Sequence, residues 1–490
     1  MDYRIAVGIL GKLLLAFAFF QTIPLILAIA MQENAWSAFL LSMAISGLVG
    51  AGMYYFGQTV GHVGLQEGFL IVSGAWILTS ILGGIPYWLT GSVPTYLDAL
   101  FETVSGLTTT GASVISDVEI LPYSILLWRS LTHWLGGMGI IVLFLVFLKN
   151  LGADALHLFK AESPGPVVER VMPRIRHMAM TLWKMYVIMT VLLIILLLSA
   201  GMNLFDAVNH TFSTMATGGF STKNTSILYY DSLAIELIIV FFMFVAGGNF
   251  GLYFLVWKNG LGRLLRDTEF KVYLGIVAAS TGIITFSLVL QNGISWTSGL
   301  RDALFTVVSL MTTTGFVTAD FDQWPPVAQV LLLLLMVIGG CGGSTAGALK
   351  VIRLIILTKD AAASLLQAVH PKIVQAIKLD GRPVDFAVIA ATRQFFFLYI
   401  FIYLLSVLLV TATGLPPLDS LGAVAAMIGN VGPGFGLVGP TTTFADVHFF
   451  AKFVFVLDML LGRLELVTLL VLFHPGFWQK HAGRRGVSVK

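Results

Sequence analysis

A glycine recurs in this chain at a fixed distance from an Asp-Ala pair. The spacing is 13 residues in three places, which are Asp98 to Gly111, Asp206 to Gly219 and Asp302 to Gly315. Each glycine also follows a Ser by six residues and a Thr by two; these are Ser105, Ser213 and Ser309, and Thr109, Thr217 and Thr313. Glycine accepts a positive φ, which lets consecutive carbonyl oxygens turn inward and replace the water shell of a cation. The pattern therefore predicts a site that dehydrates cations.

A fourth, degenerate copy lies between Asn430 and Gly436. It lacks the Ser and the Thr, but Gly434 keeps the Gly-Phe pair that follows the spacing at Gly219 and Gly315, so we align Gly434 with them. Repeats at such a period define a whole fold. The candidate filter residues are Thr109, Thr110, Gly111, Thr217, Gly218, Gly219, Thr313, Thr314, Gly315, Val431, Gly432 and Gly434.

The composition is that of a membrane protein. Hydrophobic residues make up 57% of the chain and charged residues 11%, whereas globular domains carry roughly 25% charged residues. Its mean hydropathy is +0.91. Ten apolar runs are long enough to span a bilayer. They lie near residues 5–31, 35–56, 69–90, 123–148, 182–202, 233–257, 272–290, 327–358 (interrupted), 386–412 and 448–473.

The basic residues orient these spans. They concentrate in the connections 149–184, 258–271 and 350–393 and in the tail 480–490. The positive-inside rule makes these segments cytoplasmic. The N-terminus carries Arg4 and the number of predicted spans is even, so we expect both termini in the cytoplasm. The first run exceeds the apolar core of a signal peptide, roughly 7–15 residues, so we expect an uncleaved helix.

Four short apolar segments lie between spans on the opposite side, and they complete the architecture. Residues 96–107, 206–216, 300–311 and 418–428 are too short to cross a bilayer and are predicted to be re-entrant pore helices. The predicted fold is an all-α polytopic membrane protein with four parallel span–pore helix–span repeats around a central pore, after two extra N-terminal helices. The expected boundaries are 1–65 for the N-terminal helices and 66–160, 161–265, 266–380 and 381–490 for the repeats.

Polar residues of the pore helices have simpler explanations than ion binding. Asp98, Asp206 and Asp302 stand at the expected helix starts, so we interpret them as N-caps. The C-terminal ends of the pore helices would carry roughly half a negative charge toward the ion path.

A second repeated feature follows each filter segment, in the next span. Glycines occur at Gly136-Gly137, Gly247-Gly248, Gly339-Gly340 and Gly462. For the first two pairs, close helix packing is sufficient explanation. The third belongs to a stretch with five glycines in nine residues, 339–347, and each costs a helix roughly 1 kcal/mol relative to Ala. That stretch is predicted to break into a loop.

Ionisable residues inside the spans leave two questions open. Arg463 lacks a well-aligned carboxylate on its own helix, so it either pairs across helices or faces a cavity below the filter. Asp458, Glu465 and Glu236 could instead serve a proton-coupled cation symporter. An enzyme is disfavoured, because no HExxH or GxSxG motif occurs and His133 stands alone.

These motifs together resemble the Trk/Ktr/HKT superfamily of potassium transporters, in particular its bacterial TrkH type. The resemblance rests on the four units, the interrupted third unit and the sequence Leu460-Leu461-Gly462-Arg463-Leu464-Glu465. It implies potassium uptake across the bacterial inner membrane, a homodimer embedded in lipid, and a cytosolic ring-forming regulatory subunit that binds nucleotides, of the TrkA type. It implies no enzyme activity, no covalent cofactor and no nucleic acid. In that family Gly at the first filter position, here Gly111, accompanies potassium selectivity.

We expect the interrupted segment of the third unit to be a gate within the pore, not a packing seam. The candidate gate residues are Gly339, Gly340, Gly342, Gly343, Ser344, Thr345, Gly347 and Arg463. The regulatory subunit is expected on the basic connection 350–385.

Overall fold

A computed structural model of the protein describes residues 3–58, 63–139, 175–373 and 376–478. The basic segments 149–174 and 480–490, the end of the predicted span 123–148 and the boundary predicted at 160 lie outside these residues. The N-terminal part consists of the helices Tyr3–Phe20, Thr22–Ala30 and Trp36–Phe56.

Four units of the predicted kind follow, each with an outer helix, a pore helix and an inner helix. Unit 1 contains Leu65–Leu89, Tyr96–Leu107 and Tyr123–Gly137. Unit 2 contains Ile175–Ser199, Leu204–Met215, and Leu233–Ala246 with Phe250–Asn259. Unit 3 contains Thr268–Asn292, Trp296–Met311, and Pro326–Ile338 with Val351–Val369. Unit 4 contains Phe386–Thr411, Pro417–Ile428, and Phe449–Arg463 with Val467–Leu470.

The described residues contain one β-hairpin, in the connection between units 3 and 4. Its strands Lys378–Leu379 and Arg382–Pro383 pair antiparallel. The all-α polytopic fold class predicted from the sequence is otherwise confirmed. Among the described residues, six helices are long and apolar enough to cross a membrane, or seven if the two parts of the unit 2 inner helix count as one.

The inner helices are interrupted more widely than the sequence predicted. We expected a break in unit 3 alone, but the inner helix of unit 2 bends by 94° between Ala246 and Phe250, and that of unit 4 ends at Arg463. In unit 1 the helix ends at Gly137. Each of these helix ends or bends falls at the repeated glycines, and in units 1 and 4 the glycine lies against the end of the pore helix of its own unit.

Two glycines show why these positions exclude a side chain. A methyl group built on Gly136 would lie 1.7 Å from the carbonyl oxygen of Leu107, and one on Gly462 would lie 2.1 Å from that of Ile428. Leu107 and Ile428 are the last residues of their pore helices. The glycines therefore permit backbone contact between the inner helix and the pore helix of the same unit.

The pore helices lie close to their predicted bounds, but the prediction that three Asp residues are their N-caps was wrong. Thr95, Asn203 and Ser295 are the caps, and their side-chain oxygens accept backbone amides three residues on. Pore helices 2 and 3 therefore begin at Leu204 and Trp296, earlier than the expected 206 and 300. Asp98 and Asp206 occupy the third helical position instead, where they accept hydrogen bonds from the side chains of their caps.

Candidate ion-conducting filter and gate

The segments after the pore helices share one backbone conformation. In each, two residues separated by one position have positive φ. They are Thr109 (56°), Gly111 (84°), Thr217 (54°), Gly219 (79°), Thr313 (57°), Gly315 (79°), Asn430 (54°) and Gly432 (104°). The fourth glycine of the repeat is therefore Gly432, and our alignment of Gly434 with the other three was wrong. We call residues 109–112, 217–220, 313–316 and 430–433 filter strands 1 to 4, and the residues that directly follow each strand its return segment.

The corrected register recovers a sequence signal that the Gly-Phe pair concealed. Asp419 stands 13 residues before Gly432, as in the other repeats. The position six residues before Gly432 is Ala426 in place of Ser. Gly434 instead lies in the return segment, where its amide donates to the carbonyl of Val438.

The four filter strands close into a ring, because each repeat glycine lies against a carbonyl oxygen of the next strand. Methyl groups built on Gly111, Gly219 and Gly315 would lie 2.0, 2.1 and 2.1 Å from the carbonyl oxygens of Gly218, Thr314 and Val431. One built on Gly432 would lie 2.6 Å from the oxygen of Thr110, which returns to strand 1. The order 1–2–3–4–1 thus arranges four equivalent backbone segments around one axis.

Each strand is joined to its own pore helix by the same backbone hydrogen bond. The amides of Thr110, Gly218, Thr314 and Val431 donate to the carbonyls five residues earlier, at distances between 2.8 and 2.9 Å. In strands 1 and 3 a side chain adds a second link, since Ser105 Oγ donates to Ala112 O at 2.6 Å and Ser309 Oγ to Phe316 O at 2.7 Å. Two of the repeated serines therefore hold the strand just beyond the glycine.

A buried ion pair that no local sequence motif indicates lies behind strands 1 and 2. Arg129 Nε donates to Glu102 Oε1 at 2.7 Å, and both side chains are almost fully buried. Glu102 also accepts from the Val114 amide at 3.1 Å, while Arg129 Nη1 donates to Ser221 O at 3.2 Å. The pair thus connects pore helix 1 to the return segments of two neighbouring strands.

Two further ion pairs involve residues of the pore helices. Lys452 Nζ donates to Asp98 Oδ1 at 2.7 Å and joins the inner helix of unit 4 to pore helix 1. Arg301 on pore helix 3 pairs with Glu236 of unit 2 at 2.6 Å.

The three candidate proton carriers, Glu236, Glu465 and Asp458, differ in their bonding partners. Glu236 is paired as described, and Glu465 forms an ion pair with Arg353. Asp458 is buried, and its Oδ1 accepts a hydrogen bond of 2.7 Å from Ser406 Oγ. Its Oδ2 has no hydrogen-bond partner among the described residues.

The predicted loop is present, and it passes beside the first residues of three filter strands. The helices of unit 3 stop at Ile338 and resume at Val351. The Gly347 amide donates to Thr313 Oγ1 at 2.8 Å, and Thr217 Oγ1 donates to Thr345 Oγ1 at 3.3 Å. A methyl group built on Gly347 would lie 3.0 Å from the Cβ of Asn430.

The loop is held from its other side by units 2 and 3. The amides of Cys341 and Thr345 donate to Gly247 O at 2.8 Å and Ala246 O at 3.3 Å. Glu269 Oε1 accepts from the amides of Gly342 at 2.6 Å and Ile352 at 3.1 Å. The loop therefore bridges the break in the unit 2 inner helix and the start of the unit 3 outer helix.

Arg463 joins this loop to unit 1. Its Nη1 donates to Thr345 O at 2.8 Å, and its Nη2 donates to Gly137 O at 3.0 Å and to Gly136 O. It lines a cavity of about 80 Å³ together with Lys350 and residues of the loop. The sequence left open whether Arg463 pairs across helices or faces a cavity. It does both, because it lines the cavity and also donates hydrogen bonds across helices to backbone carbonyls.

Comparisons with known proteins agree with this architecture. A family model described as TrkH, cation transport protein, matches residues 35–480. The Trk system potassium uptake protein TrkH of Escherichia coli K12 is 39% identical over 485 residues, covering 98% of this chain and 100% of that protein. TrkH of Halomonas elongata is 38% identical over 486 residues, with the same coverage.

A solved structure gives the same result. The crystal structure of the potassium transporter TrkH from Vibrio parahaemolyticus matches with a TM-score of 0.88 and 36% identity, covering 98% of this chain and 100% of that one. The relatives are named as transporters, which confirms that the chain is not an enzyme. The chain belongs to the TrkH family of cation transport proteins.

Proposed function

We propose that this protein takes up potassium across the bacterial inner membrane through the ring of filter strands, in channel-like fashion. The potassium is named in its relatives. The single observation that carries the proposal is the closed 1–2–3–4–1 ring, in which each glycine lies against a carbonyl of the next strand. Four such strands supply the backbone oxygens that a dehydrated potassium ion needs. No covalent cofactor takes part, and both termini face the cytoplasm.

The proposed ion ligands are Thr109, Thr110, Gly111, Thr217, Gly218, Gly219, Thr313, Thr314, Gly315, Val431 and Gly432. Gly432 is the fourth repeat glycine, and Gly434 supports the return segment of strand 4. All four pore helices end where their filter strands begin. Their C-terminal partial negative charges therefore meet at the ring and favour a cation. We retain 1–65 for the N-terminal helices and 66–160, 161–265, 266–380 and 381–490 as the proposed boundaries of the four repeats.

The filter is tested by a matched pair of glycine substitutions. Gly111→Ser places a side chain at a positive φ inside the ring, and we expect it to lower potassium-over-sodium selectivity. Gly91→Ser is the control, since Gly91 also has positive φ (69°) but a methyl group built on it has no neighbouring atom within 4 Å. Bi-ionic reversal potentials of the purified protein in bilayers measure the effect. Equal selectivity in both variants at normal folded yield would refute a filter role for Gly111.

The loop of unit 3 is proposed to be the gate, and the hydrogen bonds of Arg463 are proposed to hold it in the closed position. It lies against Thr217, Thr313 and Asn430, the first residues of three filter strands. Deletion of two residues within 342–347 should raise open probability in single-channel recordings. Loss of folded protein without increased opening would favour a packing seam instead.

A cytosolic partner is proposed to drive the gate. The relatives belong to a Trk system, which supports a ring-forming, nucleotide-binding subunit of the TrkA type acting on a homodimer of this chain. The connection after Val369 contains Lys372, Lys378 and Arg382, all with exposed or partly exposed side chains, and provides a basic docking surface. Affinity capture from native membranes should recover this subunit, and capture of this chain alone would contradict the proposal.

A proton-coupled symporter remains the second candidate, and Asp458 is the observation that favours it. Its Oδ2 is buried without a partner among the described residues, and intramembrane carboxylates often carry protons. Reversal potentials measured across imposed proton gradients, for the native chain and Asp458→Asn, decide between the two. A shift with the proton gradient that Asp458→Asn abolishes would establish coupling, and no shift would establish passive flux.

A further inference from the structure

His133 lies between units 1 and 2, with both ring nitrogens bonded to backbone. Nδ1 is 2.7 Å from the carbonyl oxygen of Gly106 in pore helix 1, and Nε2 accepts from the amide of Phe220 in strand 2 at 3.3 Å. An imidazole that donates from Nδ1 and accepts at Nε2 is the neutral form. The ring also stacks on Phe220 with a centroid distance of 4.1 Å, and the side chain is fully buried.

The imidazole fills the space that a threonine side chain occupies in strands 1 and 3. At the position before the repeat glycine those strands have Thr110 and Thr314, whose hydroxyls are each 2.7 Å from the hydroxyl of a second Thr. Strand 2 has Gly218 there. A methyl group built on Gly218 has Cδ2, Cγ and Nδ1 of His133 as its three nearest atoms, at 2.6, 2.6 and 2.7 Å.

The usual serine support is also missing from strand 2. Ser105 and Ser309 hold strands 1 and 3 through the carbonyl after the repeat glycine. The hydroxyl of Ser213 has no hydrogen-bond partner among the described residues. The Phe220 amide bonds to His133 instead. The side-chain support of strand 2 thus comes from the neighbouring unit, whereas that of strands 1 and 3 comes from their own pore helices.

We propose that His133 is a positioning residue for ion selectivity, which sets the place of the Gly218 carbonyl by filling the volume that Gly218 leaves empty. The inference rests on the proposed filter. Gly218 O is the oxygen against which Gly111 lies. Displacement of strand 2 therefore changes the ring at its junction with strand 1.

The test is a double-mutant cycle between the two complementary positions. His133→Ala leaves a gap, and Gly218→Thr introduces the side chain of the other strands against the imidazole. Each single variant should raise the sodium-to-potassium permeability ratio by roughly three- to tenfold, the scale of coupling between contacting residues. The double variant His133→Ala with Gly218→Thr should return it to within about twofold of the native ratio, because the threonine now fills the gap.

The measurements are bi-ionic reversal potentials of the purified full-length chain in bilayers, with thermal unfolding of each variant. Leu288→Ala, a buried truncation in the outer helix of unit 3, is the control for lost stability and should leave the ratio unchanged. If Gly218→Thr fails to fold, the comparison of His133→Ala with the double variant still decides.

A native ratio in His133→Ala, or a double variant no closer to native than His133→Ala, would overturn the inference. The filter itself is judged separately by Gly111→Ser. If that variant loses selectivity while His133→Ala does not, the proposed function stands and the role of His133 is refuted. If neither changes selectivity, both proposals fail.

Discussion

The backbone amide of Gly347 donates a hydrogen bond of 2.8 Å to Oγ1 of Thr313, the first residue of filter strand 3. Thr313 has positive φ and a fully buried side chain, so it belongs to the ring as well as to the loop contact. Any movement of the loop therefore breaks a bond to the filter strand. This contact couples the proposed gate to the proposed filter directly.

Thr313→Val should increase opening, because valine keeps the shape of threonine but cannot accept the Gly347 amide. A hydrogen bond contributes about 0.5–1.5 kcal/mol net, so we expect the open fraction to rise roughly two- to tenfold. Single-channel recording measures it. Thr285→Val is the control, since Thr285 Oγ1 donates only within its own helix, to Thr281 O at 2.7 Å. Unchanged opening in Thr313→Val would show that this bond does not hold the loop.

Arg463→Ala should increase potassium flux, because it removes the hydrogen bonds that hold Thr345 O to the carbonyls of unit 1. Arg463→Lys should have an intermediate effect, since lysine keeps the charge but not the fork of donors. Rubidium uptake into liposomes, normalised to folded protein, measures the change. The surface variant Arg393→Ala is the control, because half of that side chain is exposed.

The opposite result for Arg463→Ala is equally informative. Reduced uptake together with reduced thermal stability would show that Arg463 mainly supports the packing of the inner helices. The proposal that Arg463 holds the loop closed would then be wrong.

The sequence predicted the architecture because its signals are local. Pore helix bounds followed from short apolar segments between spans, and the ring glycines of strands 1 to 3 followed from one spacing. The break after Ile338 followed from the helix cost of five glycines. Each of these depends on residues near one another in the chain.

Errors arose where a distant contact decides the structure. Gly434 was aligned by its following Phe, although the ring closes through Gly432 and Thr110 O, far apart in sequence. The breaks in units 2 and 4 depend on glycines that meet other backbone segments, such as Gly462 against Ile428 O. A search for the Asp spacing from Asp419 would have found the fourth register.

The side chains that support the filter could not be predicted either, because their contacts join different helices or units. Glu102 and Arg129 lie on different helices, and neither has a local motif around it. His133 stands alone in the sequence, and its bond to the amide of Phe220 is visible only when units 1 and 2 are assembled.

Glu102→Gln should destabilise the protein strongly, because it leaves Arg129 buried without a compensating charge. Breaking such a pair costs about 3–5 kcal/mol. The double variant Glu102→Gln with Arg129→Gln should recover part of this loss. Asp360→Asn is the matched control, since its partner Arg393 is half exposed, and such pairs contribute about 0–1 kcal/mol. Denaturation in detergent measures all three, and equal losses in Glu102→Gln and Asp360→Asn would contradict the prediction.

Asp322→Asn should stabilise the protein at neutral pH and leave it unchanged in acid. Asp322 lies in the connection before the unit 3 inner helix, where burial raises its pKa from 3.8 to about 6, helped by the nearby carboxylates Asp320 and Asp419 and opposed by the Gly436 amide. The folded state therefore binds the Asp322 proton more tightly than the unfolded state, and stability falls as the pH rises from about 4 to about 6. The neutral amide avoids this loss.

Thermal unfolding at pH 7.5 and at pH 4 tests the sign. We expect Asp322→Asn to raise the melting temperature by roughly 1–4 °C at pH 7.5 and to have little effect at pH 4. Asp117→Asn provides a control of opposite sign, since the side-chain amide of Asn224 donates to Asp117 and lowers its pKa. The ionised Asp117 therefore stabilises the folded state above the unfolded pKa, and this variant should lower the melting temperature at pH 7.5. A loss of stability in Asp322→Asn at pH 7.5, or an equal gain at both pH values, would show that the carboxylate of Asp322 does not carry the predicted penalty.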